Sequence, residues 1–226
     1  MSRKNSSKFN PDCKDCPRLA DFLEQVAVRY PDYHARPVAP FGDDNARLLI
    51  VGLAPGMHGA NASGRPFTGD HAGILLYQTL YDFGFSNRPE SVSRDDGLQL
   101  FNCRITNAVK CLPPQNKPLL EEVKTCNHYL RAEIDGLPAP AVLLALGKLA
   151  HDAVLRVLGL RLSAYRFAHG GVHALTDTLS LVDSYHCSRY NTQTRRLTPQ
   201  MFGQVFELAS ELLDSSDRQA GVRVSS

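Results

Sequence analysis

Six of the chain's 16 glycines fall between Ile50 and Gly73, directly behind an apolar run (46–54) that reads as a buried strand. Glycine at this density raises the entropic cost of folding, and a chain keeps it where backbone must turn sharply or approach something closely. A strand, a glycine-rich loop and then a helical pattern from Ala72 make the opening of an α/β unit, whose loops gather at the carboxyl ends of parallel strands. The loop holds neither G-x-G-x-x-G nor G-x-x-x-x-G-K-[ST], which excludes the two familiar phosphate cradles. Phe67 and Asp70 stand three residues apart at its far end, placing a ring beside a carboxylate.

The remaining chain repeats this alternation. Residues 100–110, 141–147 and 179–184 read as strands, and 17–30, 72–83, 118–130, 148–158 and 198–213 carry apolar residues at helical spacing. The pattern predicts an α/β fold, a mostly parallel sheet with helices on both faces. A length of 226 residues suits one domain, expected over 11–214, between a flexible arm (1–10) and a disordered tail (215–226). No apolar stretch has the length of a membrane span and the start is polar, so a cytoplasmic, nucleoid-associated monomer is expected. A net charge of +2 permits nucleic acid as a partner only through local basic clusters.

The six cysteines are few for a secreted disulfide scaffold. Cys13 and Cys16 form C-x2-C ahead of Pro17 and a helix, and Cys111 and Cys126 are separated by fourteen residues. A tight C-x2-C grips one metal from a turn, and the second pair would complete a four-sulfur site. Core packing of Cys111 and Cys126 is the competing reading. Zinc and an iron–sulfur cluster both suit four thiolates; the wide, proline-stiffened second pair leans toward a cluster. Cys103 and Cys187 are expected to stay reduced thiols.

Three polar segments fall at expected strand ends: the glycine-rich loop, Thr106-Asn107 and Ser184-Tyr185-His186. Asp70 suits either a helix cap or a carboxylate holding a water on a ligand. Phe67 suits core packing or a platform for a flat ring. Asn107 must find partners and offers one donor and one acceptor side by side, the complement of an imide edge. Asn116 reads as a turn residue before Pro118. His186 opens a polar loop with Ser188, Arg189, Asn191, Arg195 and Arg196, a mixture suited to phosphate and groove contacts. Their convergence at one sheet edge predicts a flat polar ligand held by stacking and hydrogen bonds. A metal-stabilised module that binds nucleic acid without chemistry is the alternative, although it has no need of Asp70 beside Phe67.

Four stretches together resemble the uracil-DNA glycosylase superfamily, specifically its cluster-containing family 5. They are Cys-Lys-Asp-Cys-Pro-Arg-Leu (13–19), Gly-Leu-Ala-Pro-Gly through Phe-Thr-Gly-Asp (52–70), Thr-Asn-Ala-Val-Lys-Cys-Leu-Pro-Pro-Gln-Asn-Lys-Pro (106–118) and His-x-Ser-x-x-Asn-Thr-x-Thr (186–194). The resemblance implies an α/β/α sandwich around a central four-stranded parallel sheet, a 4Fe–4S cluster on Cys13, Cys16, Cys111 and Cys126, and excision of uracil or other deaminated bases from DNA. It implies Asp70 as catalytic carboxylate, His186 as donor to the departing base, and Gly52, Ala54, Phe67, Asn107 and Asn116 around that base. Ser188, Arg189, Asn191, Arg195 and Arg196 would meet the DNA. Leu53 stands where the related family 4 has glutamate. Two departures mark the last loop: Cys187 and Arg195 replace a proline and a glycine usual in the family.

Overall fold

A computed structural model describes residues 9–223, with side chains through residue 215. The expected sheet of four strands is a sheet of six, in the order β1-β3-β2-β4-β6-β5. Its centre is the anticipated parallel set: β2 (Leu48–Gly52), β3 (Cys103–Asn107), β4 (Ala141–Leu146) and β6 (Leu179–Ser184). Two antiparallel edges are added, β1 (Phe41–Gly42) on β3 and β5 (Val172–Thr176) on β6. Neither edge announces itself in the sequence. β1 is too short for any periodicity, and β5 is half-exposed and held by ladder hydrogen bonds rather than by a buried face.

The central strands are buried on both faces, which is why they read as unbroken apolar runs. Side chains alternate across the pleat. Leu48, Ile50, Ile105, Leu144 and Val182 face a core shared with α3 (His71–Asp82) and α7 (Pro199–Arg223). Leu49, Val51, Leu143, Ala145 and Leu181 face a second core shared with α1 (Pro17–Arg29), α4 (Leu120–Asp135) and α5 (Lys148–Val157). The three layers expected are therefore present. Two short helices, α2 (Ala60–Ser63) and α6 (Arg189–Gln193), lie inside loops.

The last helix was expected to end at Leu213 and to give way to a disordered tail; it continues to Arg223. Residues 1–8 of the expected arm and 224–226 of the expected tail lie outside the described residues. Phe9, inside that arm, packs on Tyr129 with ring centroids 5.8 Å apart. Among the described residues no helix is long and apolar enough to cross a membrane.

Candidate active site

The carboxyl ends of all four parallel strands open onto one cavity of about 540 Å³. β2 and β3 end in register, with Gly52 opposite Asn107. That pairing explains the first glycine of the loop. A Cβ on Gly52 would stand 2.4 Å from Asn107 Oδ1 and 2.8 Å from Phe67 Cζ, so any side chain would push both out of place. Asn107 is 4% exposed, and its backbone carbonyl accepts from Lys110 Nζ at 2.9 Å. The same ammonium, itself buried, bonds Thr106 Oγ1 at 2.5 Å and Glu133 at 2.7 Å, clamping the end of β3 to α4.

Phe67 and Asp70 approach from the other end of the loop. Phe67 is buried with φ +55°, a left-handed conformation rare for a bulky residue, and its ring lines the cavity. Asp70 caps α3, where Oδ1 accepts the Gly73 amide at 2.9 Å. Gly59 makes room for the same carboxylate, because a Cβ there would fall 2.7 Å from Oδ2. The cap and the ligand-facing role weighed in the sequence are thus not exclusive: one oxygen caps the helix while the residue lines the cavity.

His186 enters from the end of β6, its ring centroid 6.0 Å from that of Phe67 and tilted by 31°. Burial holds its pKa below the ordinary histidine value, against the opposing pull of Asp70, so the ring at neutral pH is a neutral N–H donor. Its backbone carbonyl is fixed by Asn191 Nδ2 at 2.8 Å, and Ser188 caps α6 by accepting the Asn191 amide. His71 and Thr192 bond at 2.9 Å, tying the start of α3 beside Asp70 to the His186 loop.

Ala54, Asn116, Ser188, Asn191 and Arg196 also line the cavity, whereas Gly52 lies beneath it as a contact point. Arg189 instead lines a second recess of about 500 Å³ beyond Asp70, together with His71 and Ser91. Arg195 is exposed on the outer turn of its loop with φ +57°. Sequence reasoning missed Lys148, Leu149 and Phe167, which complete the wall from α5 and the segment before β5. A signal for the first two existed: the apolar run 141–146 followed by Gly147 and a helix repeats the strand–glycine–helix pattern at Gly52.

Within the layer that holds α1 and α4, Cys13, Cys16, Cys111 and Cys126 line one small recess. Burial raises the thiols of Cys16, to about 11, and Cys111, to about 12, and the neighbouring sulfurs add to both shifts. The Lys110 amide donates to Cys126 Sγ at 3.3 Å. Arg18 of α1 grips Glu122 of α4 with two bonds of 2.7 Å, closing the two helices that carry these cysteines or flank them. Four cysteine sulfurs lining one small recess make a donor set that suits a positive centre. Cys103 and Cys187 lie elsewhere, wholly buried, their thiols raised by burial.

Residues 39–209 match the family model described as the uracil DNA glycosylase superfamily. A type-5 uracil-DNA glycosylase of Thermus thermophilus is 47% identical over 205 residues, covering 88% of this chain and 93% of that protein. A type-5 uracil-DNA glycosylase of Pyrobaculum aerophilum is 43% identical, covering 88% of each. The crystal structure of wild-type Pedobacter heparinus SMUG2 superimposes with a TM-score of 0.50 at 15% identity, covering 87% of this chain and 85% of that one, which is a likeness of fold.

Proposed function

The chain belongs to the uracil-DNA glycosylase superfamily, among its type-5 enzymes, and from that premise we propose that the cavity at the strand ends is where it excises the base. The enzyme removes uracil from DNA in base excision repair, so the reading as a non-catalytic binding module is set aside. One observation carries the assignment: Gly52 lets Asn107 and Phe67 meet at the floor of the same cavity that Asp70 and His186 line.

A base inside a duplex is out of reach, so the nucleotide is flipped into the cavity. Stacking on Phe67 offsets part of the lost base stacking, about 1–3 kcal/mol. Asn107 reads the imide edge, and Ala54 and Asn116 frame the base. Breaking the N-glycosidic bond leaves positive charge on the sugar and negative charge on the base. Asp70 stabilises the first and positions the water, whose oxygen joins the sugar carbon as one of its O–H bonds breaks; neutral His186 donates a hydrogen bond to the base anion, which takes up the proton released. Ser188, Arg189, Asn191, Arg195 and Arg196 meet the DNA, with deaminated purines as further candidate substrates.

The four cysteines fit a 4Fe–4S cluster, held by Cys13, Cys16, Cys111 and Cys126; it would supply a cross-link between α1, the loop after β3 and α4. Purified protein is expected to contain iron and sulfide in equal amounts, and Cys126→Ser to lose both along with thermal stability; zinc alone would overturn the cluster. The enzyme is expected to act as a monomer on cytoplasmic, nucleoid DNA.

The test is single-turnover excision from a uracil-containing oligonucleotide, scored by alkaline cleavage at abasic sites. Asn remains a good helix cap, so Asp70→Asn is expected to keep its melting temperature while excision slows about 10²–10⁴-fold. An undiminished rate rejects the role of Asp70. His186→Ala is expected to slow excision about 10²–10³-fold with little loss of DNA affinity; a loss confined to affinity would make His186 a DNA-positioning group.

A further inference from the structure

Asp183, one residue from the end of β6, is completely buried and gives each carboxylate oxygen to a different histidine. His151 Nδ1 on α5 lies 2.7 Å from Oδ1, and His173 Nε2 on β5 lies 3.0 Å from Oδ2. The remaining nitrogen of His151, Nε2, is 3.0 Å from the backbone carbonyl oxygen of Tyr165. A carbonyl can only accept a hydrogen bond, and so can a carboxylate. With Asp183 ionised, both ring nitrogens of His151 carry protons, which makes the ring an imidazolium paired with that carboxylate. Burial alone would hold this histidine neutral; the Asp183 carboxylate, the Tyr165 carbonyl and the more distant Asp152 outweigh it and raise its pKa. Asp152 lies on the same helix and is itself bound to Lys148 at 2.6 Å.

This ion pair stands directly behind the cavity. His151 packs edge-on against Phe167, ring centroids 5.6 Å apart, and Phe167 lies 6.2 Å from Tyr185. Both aromatic residues line the cavity, and Tyr185 separates Ser184 from His186 in the chain. His169 stacks on Tyr185 at 4.9 Å and accepts its amide at 3.2 Å. We propose that His151 is a positioning residue: its buried ion pair with Asp183, braced by His173, fixes Phe167 and Tyr185 as the aromatic wall of the base cavity and so sets the aim of His186. The proposal rests on that cavity being the excision site. It assigns to the enzyme a support that lies outside every motif through which the chain resembles its family.

The protonation state is the first measurement, made on the ¹⁵N-labelled holoprotein by long-range ¹H–¹⁵N correlation of histidine rings, with His151 identified by its absence in His151→Leu. Two protonated ring nitrogens are expected at pH 7. The three donor atoms also lie within 4.8 Å of one another, so a metal ion held there is the rival reading. It needs the Nδ1 lone pair, and an unprotonated Nδ1 overturns the proposal.

Kinetics make the second measurement, in wild type and in His151→Leu/Asp183→Leu, which removes both charges and leaves no lone buried ion. The imidazolium persists at low pH and is lost as pH rises through its raised pKa, so wild-type KM is expected to climb on the alkaline side. The double variant is expected to lose about tenfold or more in kcat/KM, mainly through KM, and to lose that alkaline dependence. KM–pH profiles of the same shape in both proteins would overturn the positioning role. The nuclear resonance result does not depend on activity, so failure of the cavity assignment, seen with Asp70→Asn, is distinguishable from failure of this one.

Discussion

Two loops leave the carboxyl edge of the sheet and meet over one cavity, and they are built in opposite ways. The loop after β2 is anchored along its length. Its Gly52 and Leu53 carbonyls accept the Ala108 and Val109 amides at 2.9 Å, its Asn61 and Ala62 carbonyls accept Ala35 and His34, and Tyr77 bonds the Pro66 carbonyl at 2.7 Å. Arg65 closes it from below. Only 5% exposed, it holds Asp96 at 2.8 Å and Ser91 at 2.9 Å, bonds the Arg94 carbonyl and lies over the Phe41 ring. The loop after β6 is held at its root, where Cys187 is buried and His186, Ser188, Asn191 and Thr192 are half-buried, and turns outward through exposed Arg189, Arg195 and Arg196. The difference separates two duties. Groups that act on charge developing in a reaction must be held in advance, whereas groups that meet a phosphate backbone work through charge and tolerate motion.

If this division is right, the largest effect on folding comes from breaking the anchored loop. Arg65→Met leaves Asp96 as an unpaired buried carboxylate, expected to cost about 3–5 kcal/mol and about 10 °C in melting temperature. Thermal unfolding followed by circular dichroism checks this; an unchanged midpoint would mean that the loop is anchored elsewhere. The same pair sets an acid limit. Burial pushes the Asp96 carboxyl up, but Arg65 and the amides of Leu98, Val92 and Ser93 outweigh it and hold the pKa at about 2. A depressed carboxyl contributes stability that is complete above the ordinary carboxylate range and lost as pH falls from about 4 toward 2. Arg65→Met is expected to lose this acid-side dependence, measured as the change in melting temperature between pH 5 and pH 3.

The same contrast explains what was legible in the sequence. Strands buried on both faces gave apolar runs, so the parallel centre was readable, while β1 and β5 bury too little to leave a pattern. The anchored loop was readable because close approach demands glycine: a Cβ would fall 2.4 Å from Asn107 at Gly52, 2.6 Å from Asp70 at Gly59 and 1.9 Å from the Phe67 carbonyl at Gly73. Interactions made across the fold were not. Lys110 gave no sign of clamping Asn107, and His151, His173 and Asp183 are brought together by an edge strand that carried no signal of its own. Phe167 reaches the cavity from a segment without regular structure, where neither period nor motif could place it. Roles for Asp70 and His186 came from resemblance; the residues alone left cap and catalyst, edge residue and donor, side by side.

On the outward loop the expected effects are smaller and depend on salt. Arg196 lies 4.7 Å from the Tyr185 ring at the cavity rim, and Arg189 lines the recess beyond Asp70. Replacing either with Ala is expected to weaken duplex binding and to flatten the dependence of log K on log salt by about 0.9 for each phosphate that is no longer neutralised. Excision under single-turnover saturation should change little. A slope that does not move would place that arginine off the phosphate path, and a fall in the saturated rate would bring it into the anchored half of the site.

The smallest effect belongs to Arg195, on the exposed outer turn of the same loop. Its φ of +57° lies in the left-handed region, which costs an ordinary residue about 1–2 kcal/mol. Glycine removes that strain but loses more entropy on folding, which returns about 0.4–1 kcal/mol. Arg195→Gly is therefore expected to raise the melting temperature by only a few degrees while lowering DNA affinity through removal of the charge. Stability and binding then move in opposite directions in one variant. A gain in stability with unchanged affinity would show that the arginine adds strain without meeting the DNA. A fall in both would mean that the side chain braces the loop, making the outward half less free than its exposure indicates.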